Sequence, residues 1–335
     1  MRPYICAVLV LMAGAALAQP AVESYADQAK AWWAGYLADS KLISLPGGRK
    51  LNLYCQGKGT PVVVLESGIG AGAFNWRFVQ AAIGRTTKVC AYDRAGYWKS
   101  PATTGARDAG AEADDLAALL KAARLPAPYV IVAHSLGGHI ARLYADRHMR
   151  DVAGMVLVDP SVEYQDKSLI EIIPTAPPML AADMARRKGC ASDPRPAEVA
   201  GKCLDPAPPA DLPKESAEWF VQAQGPAYSA ATLQEYQAMG AASSDALVAE
   251  KKSMGNRPLI LLNAGKKMQL LPGQTDQQTD ALTAMWLEKH RELLAISSRA
   301  ELRMVEGSGH FIPREKPDAV IAAVNDMVAG LKRGR

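Results

Sequence analysis

A mostly parallel β-sheet covered by helices on both faces is the fold class predicted for this chain, and three observations predict it. Apolar strand-like runs alternate with amphipathic helical stretches in two separate parts of the sequence, which requires crossover connections and hence parallel pairing. One such run, Tyr129 to Ala133, passes through His134 into Ser135 and then directly into a helical pattern. Between the two alternating parts, residues 161–256 turn rich in Ala, Pro and polar residues with several short helix-like pieces. That stretch is too long for a structureless loop and reads as a helical insertion.

The 335 residues, 49% of them apolar, suffice for one large α/β domain or two small ones. Arg2 precedes an uncharged apolar run from Tyr4 to Leu17, and Ala16-Leu17-Ala18 places small residues where a signal peptidase reads them. Residues 1–18 are therefore read as a signal peptide, with an uncleaved anchor as the competing reading. The run is short for a bilayer span, so a periplasmic or secreted protein with no membrane span after signal removal is expected. Ala21 to Ser40 is helix-like, with Tyr25, Ala29, Trp32, Trp33 and Tyr36 on one face. It is read as packing on the body of the domain, a membrane-surface role for the Trp pair being the alternative.

Strands are expected at Leu51 to Cys55, Pro61 to Leu65, Lys88 to Tyr92, Tyr129 to Ala133 and Gly154 to Val158. Helices are expected between them at Trp76 to Ile83, Ala111 to Ala123 and Leu136 to His148. Within the insertion, Ser216 to Gln224 and Ala231 to Met239 read as helices. The alternation resumes with a strand at Leu259 to Asn263, a helix from about Gln277 to Ser297, a strand at Glu301 to Val305 and a helix from Pro317 to Leu331. Residues 19–160 and 257–335 thus form the core, and 161–256 a helical cap.

The net charge of +4 is small and dispersed, with basic residues interleaved among acids, which gives no footprint for nucleic acid. Of five cysteines, Cys6 falls in the signal segment, and the remaining even number suits disulfides in an exported chain. Cys190 and Cys203 are close enough in sequence to close a small loop, while Cys55 and Cys90 each fall in an expected strand; free buried thiols are the alternative. No spacing resembles a metal site.

A serine at a sharp strand-to-helix bend presents its hydroxyl above the sheet edge beside the positive end of a helix. Close approach of strand and helix requires small residues two before and two after it, here Ala133 and Gly137. A plain serine N-cap is the bland reading. Serine needs a base, and His310, in Gly307-Ser308-Gly309-His310 just past the last strand, is the natural one. His134 is expected to point away from Ser135, and His139, His148 and His290 ride on or beside helices. Asp159, at the end of the strand Gly154 to Val158, is favoured as the acid that orients His310, with Asp276 and Asp280 as alternatives. The loop Glu66-Ser67-Gly68-Ile69-Gly70 can supply an amide to an oxyanion, giving the backbone N–H groups of Ile69 and Leu136 as expected donors.

Taken in order, Leu65-Glu66-Ser67-Gly68-Ile69-Gly70, Ala91-Tyr92-Asp93-Arg94-Ala95-Gly96-Tyr97, Ala133-His134-Ser135-Leu136-Gly137-Gly138, Val156-Leu157-Val158-Asp159-Pro160 and Gly307-Ser308-Gly309-His310 resemble the serine esterase and lipase branch of the α/β-hydrolase fold. The resemblance implies an eight-stranded sheet with one antiparallel strand, a cap between strands six and seven, and no cofactor or metal. It also implies that the strands of Cys55 and Cys90 are neighbours, which makes a disulfide between them plausible. Asp93 and Arg94 resemble the family's structural loop and are read as a fold-stabilising pair. The chain departs from the family at Ala133, Ser67 and Trp98, none of which removes a reacting group. Relatives that dehalogenate or open epoxides carry Asp at the elbow, so Ser135 points instead to ester cleavage through an acyl-enzyme on a small-molecule ester. Acyltransferase, lactonase, amidase and thioesterase chemistry use the same groups, and a non-catalytic binding protein is the reading from another class. Phe74, Trp76 and nearby Met residues are candidates to line the substrate pocket.

Overall fold

A computed structural model describes residues 24–192, 203 and 207–334; the expected signal segment lies outside them. Eight strands form one sheet in the order β1-β2-β4-β3-β5-β6-β7-β8. They are β1 (Lys41–Ser44), β2 (Lys50–Gln56), β3 (Val62–Glu66), β4 (Val89–Asp93), β5 (Tyr129–His134), β6 (Val152–Val158), β7 (Gly255–Ala264) and β8 (Ser297–Val305). β2 runs antiparallel to both β1 and β4, and every other pairing is parallel. The one strand absent from the sequence reading is β1, a short edge strand with mostly exposed residues and so no apolar run to mark it.

Successive strand residues serve opposite faces. In β3, Val62 and Val64 join one apolar layer while Val63 and Leu65 join the other; Ile131 and Val132 divide in the same way in β5. Helices α1 (Tyr25–Asp39), α2 (Gln80–Gly84), α3 (Ala109–Ala122) and α4 (Gly137–Arg147) accompany the first six strands. α3 and α4 cover the layer of Val62 and Val64, and α1 lies in the opposite layer. Trp32 and Trp33 are at most 1% exposed there, stacked among Tyr36, Tyr54 and Phe74, so the Trp pair packs in the core and cannot meet a membrane surface.

Between β6 and β7 run α5 (Gln165–Ile172), α6 (Ala176–Ser192), α7 (Ala217–Gln222), α8 (Pro226–Met239) and α9 (Ala242–Glu250). α5, α6 and α9 escaped the sequence reading because their apolar residues are few and unevenly spaced, and α5 buries none of its residues. After β7 comes α10 (Asp276–Leu293), opened by a Thr275 capping box, and after β8 come α11 (Ile312–Glu315) and α12 (Pro317–Arg333). No helix among the described residues is long and apolar enough to cross a membrane.

Cys55 and Cys90 face each other across β2 and β4 and are disulfide-bonded, as are Cys190 and Cys203 at the end of α6. The first bridge closes a loop with a sequence separation of 35, so loop-closure entropy alone gives it ~3–4 kcal/mol. Replacing Cys55 and Cys90 together by Ala should lower the denaturation free energy by about that amount, measured by urea unfolding. A change below ~1 kcal/mol would show that the bridge does not constrain the unfolded chain.

Candidate active site

Ser135 follows β5 with φ at +54°, a left-handed conformation that costs a non-glycine residue on the order of 1 kcal/mol or more. Neighbouring strands hold it there. Its N–H donates to Val158 O at 3.3 Å, and its carbonyl accepts from Gly138 N–H at 2.8 Å and Ser161 N–H at 2.9 Å. Glycines permit the close approach: a β-carbon on Gly137 would lie 2.7 Å from Glu66 O, and one on Gly68 would lie 3.0 Å from Ser135 Cβ. Ser135 therefore stands at the carboxyl edge of the sheet, at the start of α4.

Asp159 leaves β6 in a second left-handed bend, φ +42°, fully buried, its N–H on Leu262 O at 2.7 Å. Its Oδ2 accepts from His310 Nδ1 at 2.6 Å, and its Oδ1 accepts from Ala264 N–H at 3.1 Å and Trp286 Nε1–H at 3.2 Å. Burial opposes ionisation, yet the hydrogen bond and charge at His310, with His290 and the Ala264 N–H, hold the carboxyl below the usual range. With Nδ1 engaged by the carboxylate, Nε2 is the ring nitrogen left to face a substrate, and the His310 side chain is 35% exposed. The His310 loop turns through Gly307 at φ +71°, and the Gly309 N–H is caught by Glu315 Oε2 at 2.9 Å.

His134 turns toward that loop. Its Nε2–H donates to His310 O at 2.9 Å, and the two rings lie 4.8 Å apart. Burial, then the neighbouring His310, pushes its pKa down to about 3, so it stays neutral. His290 and Trp286, one turn apart on α10, back the acid: His290 Nε2 reaches Pro160 O at 2.9 Å, and its Nδ1 lies 2.6 Å from Asn263 Oδ1. These supporting groups were missed in the sequence. The available signal was a Trp and a His spaced four apart on the apolar side of a long helix, with Leu282 and Leu293.

The N–H groups of Ile69 and Leu136 have no acceptor among the described residues, whereas Gly70 N–H donates to the Tyr97 hydroxyl at 3.1 Å. The other acid candidates lie elsewhere: Asp280 pairs with Lys267 at 2.6 Å on the surface, and Asp276 is the exposed first residue of α10. Asp93 and Arg94 do not pair with each other. Adjacent residues leaving a strand face opposite ways, so Asp93 accepts from Tyr36, Asn52 and Ala73 N–H while Arg94 reaches Glu66 and Glu235.

A cavity of about 460 Å³ opens beside Ile69 and Gly70 and is walled by Phe74, Tyr228, Thr232, Tyr236 and Phe311. Trp76, expected beside Phe74 in the pocket, is instead fully buried in the apolar layer under α1, because the short helical turn Ala73–Trp76 points the two rings apart. A second cavity of about 430 Å³ shares Tyr236 and is lined by Met184, Met239, Met268, Met285 and Trp286. A larger one, about 750 Å³, lies at the opposite edge of the sheet among the first residues of β6, β7 and β8, far from Ser135. No group of three or more metal-binding side chains occurs among the described residues.

Residues 62–323 match the model of the alpha/beta hydrolase family. Over its length the chain is 24% identical to the uncharacterized protein YqjL of Bacillus subtilis, spanning 81% of this chain and 85% of that one. It is 23% identical to an AB hydrolase superfamily protein of Gibberella zeae, over 80% and 86%. Similar folds include a candidate lipase of Acinetobacter baumannii (TM-score 0.66, 18% identity, 95% of this chain and 100% of that one). The epoxide hydrolase CorEH is another (TM-score 0.59, 18% identity, 87% and 98%).

The folded pKa of His134 lies below its ordinary value of 6.5, so the unfolded chain binds the extra proton between pH 6.5 and about 3. The stability linked to this group is complete above pH 6.5 and declines as pH falls toward 3. His134→Gln, whose amide can still donate to His310 O, should flatten the pH dependence of the urea midpoint across that window. An unchanged slope would show that His134 is not held neutral.

Proposed function

The chain belongs to the α/β hydrolase family, and from that premise we propose that it is an exported serine hydrolase cleaving carboxylic esters of a small molecule through an acyl-enzyme. The observation that carries this reading is Asp159 Oδ2 at 2.6 Å from His310 Nδ1, on the loop that His134, next to Ser135, anchors. As Ser135 Oγ attacks the ester carbonyl, its proton passes to His310 Nε2, and Asp159 stabilises the imidazolium that forms. The Ile69 and Leu136 N–H groups receive the oxyanion. When the intermediate collapses, the C–O bond breaks and His310 returns the proton to the departing alcohol. Water then attacks the acyl-enzyme, losing its proton to His310; the bond from the acyl carbon to Ser135 Oγ breaks, His310 returns the proton to Oγ, and the acid leaves.

Epoxide hydrolases share the fold, but a serine at the elbow offers no carboxylate to open an epoxide ring. The helices of residues 161–256 act as a cap, since Tyr228, Thr232 and Tyr236 of α8 wall the cavity beside Ile69. The Met-lined cavity takes an apolar chain of the substrate. Its Met239 sulfur lies 3.7 Å from Ser161 Oγ, and its Trp286 donates to Asp159, so one wall of the cavity adjoins the residues that hold the acid. Two disulfides support export to an oxidising compartment.

A fluorophosphonate probe with peptide mapping should modify Ser135, and Ser135→Ala should lose labelling and on the order of 10⁴-fold or more of kcat. Asp159→Asn should cost ~10²–10⁴-fold, and Asp276→Asn and Asp280→Asn less than about twofold. A folded protein that does not label at Ser135 would remove the catalytic reading. Filling the Met-lined cavity with Met268→Trp should lower kcat/KM about tenfold for medium-chain esters relative to acetates, as expected when about two methylenes at ~0.8 kcal/mol each lose their burial. Equal effects on both would place the chain elsewhere.

A further inference from the structure

The insertion does more than wall a cavity, because one of its carboxylates holds the loop that carries the Ile69 amide. Arg94, 1% exposed at the end of β4, has all five N–H donors engaged. Nε and Nη2 meet the two oxygens of Glu235 at 2.9 Å each, Nη1 meets Glu66 Oε1 and Ser67 O at 2.7 Å each, and Nη2 meets Gly68 O at 2.8 Å. Glu235 lies on α8 and is also fully buried. Arg107 Nη2 adds a contact to its Oε1 at 2.9 Å, and the Tyr97 hydroxyl donates to its Oε2 at 2.7 Å while accepting from Gly70 N–H. Two helical turns earlier on α8, Tyr228 donates to Gly70 O at 2.8 Å.

The carbonyls of Ser67, Gly68 and Gly70 are thus all pinned, two by Arg94 and one by Tyr228. A trans peptide fixes the consequence: the Gly68 carbonyl and the Ile69 N–H belong to one planar unit and point in opposite directions. Holding Gly68 O on Arg94 therefore fixes the direction of the Ile69 N–H as well. The proximity is direct, since a β-carbon on Gly68 would lie 3.4 Å from Ser135 Oγ.

Resting on the serine-hydrolase reading, we propose that Glu235 is a positioning residue for the oxyanion site: through Arg94 and Tyr97 it sets the 68–69 peptide, so the helical insertion contributes to transition-state stabilisation. Arg94 is permanently charged, and no other described side chain meets both its Nε and Nη2. Burial works against ionisation of Glu235, but Arg94 and Arg107 hold it in the charged form that the fork needs. Because Tyr228, Thr232 and Tyr236 of the same helix line the cavity beside Ile69, a substrate seated there bears on the helix that fixes the amide.

The test uses the full chain with a p-nitrophenyl ester and a boronic acid that forms a tetrahedral adduct on Ser135. Glu235→Gln, nearly isosteric, should lower kcat ~30- to 100-fold with KM changed less than about twofold, the size expected when an oxyanion donor is misplaced. Boronate affinity should fall in parallel, while the exposed Gln234→Ala on the same helix leaves both unchanged. Should Glu235→Gln not fold, Tyr97→Phe decides, with an expected loss in kcat of about five- to tenfold. A folded Glu235→Gln or Tyr97→Phe enzyme that labels at Ser135 and keeps kcat, or that loses only KM, overturns the proposal while leaving the serine reading intact. Activity surviving in Ser135→Ala instead removes the serine reading, and this inference with it.

Discussion

The left-handed bend at Ser135 is the constraint around which the other parts of the site are arranged. A side chain at φ +54° is costly, and the bend persists because Val158 O and the N–H groups of Ser161 and Gly138 hold the backbone. The bend also tolerates nothing larger than hydrogen where Gly137 meets Glu66 O and where Gly68 meets the serine. Strain and close packing together keep the serine hydroxyl at the sheet edge instead of letting it fold back as an ordinary helix cap.

Around this bend the polar groups form two separate hydrogen-bond systems. One runs from Trp286 and Ala264 through Asp159 to His310, and His134 ties the same loop from below. The other runs from Glu235 through Arg94 and Tyr97 to the loop of residues 67–70. Asp159, Arg94, Glu66 and Glu235 are all buried, so each charge needs a partner of opposite sign with good geometry. The fork between Arg94 and Glu235 meets that need across the boundary between sheet and insertion. The insertion and the loop of residues 67–70 are therefore tied by the ion pairs of Glu235 with Arg94 and Arg107, not only by apolar contact.

The core strands were legible because period-two burial on both faces writes long apolar runs, as in β3 and β5. The edge strand β1 and the helices α5, α6 and α9 were not, since they bury little and their pattern carries no period. Ser135, His310 and Asp159 stood out because each follows a strand end, and the sheet order brings those ends to one edge. The reading of Asp93 with Arg94 as a pair went astray for a local reason: neighbours in an extended chain diverge.

By itself the sequence determined the sheet and placed Ser135, Asp159 and His310 just past strand ends at one edge of it, because strand period and chain order are local properties. Only the tertiary structure decided that the Trp pair is core, that Trp76 is packing, that His134 and Trp286 serve His310 and Asp159, and that Glu235 of the insertion reaches the loop of Ile69. Those relations join residues 26 to 178 positions apart. Contacts over such separations are fixed by how layers pack, and the pattern along the chain carries no record of them.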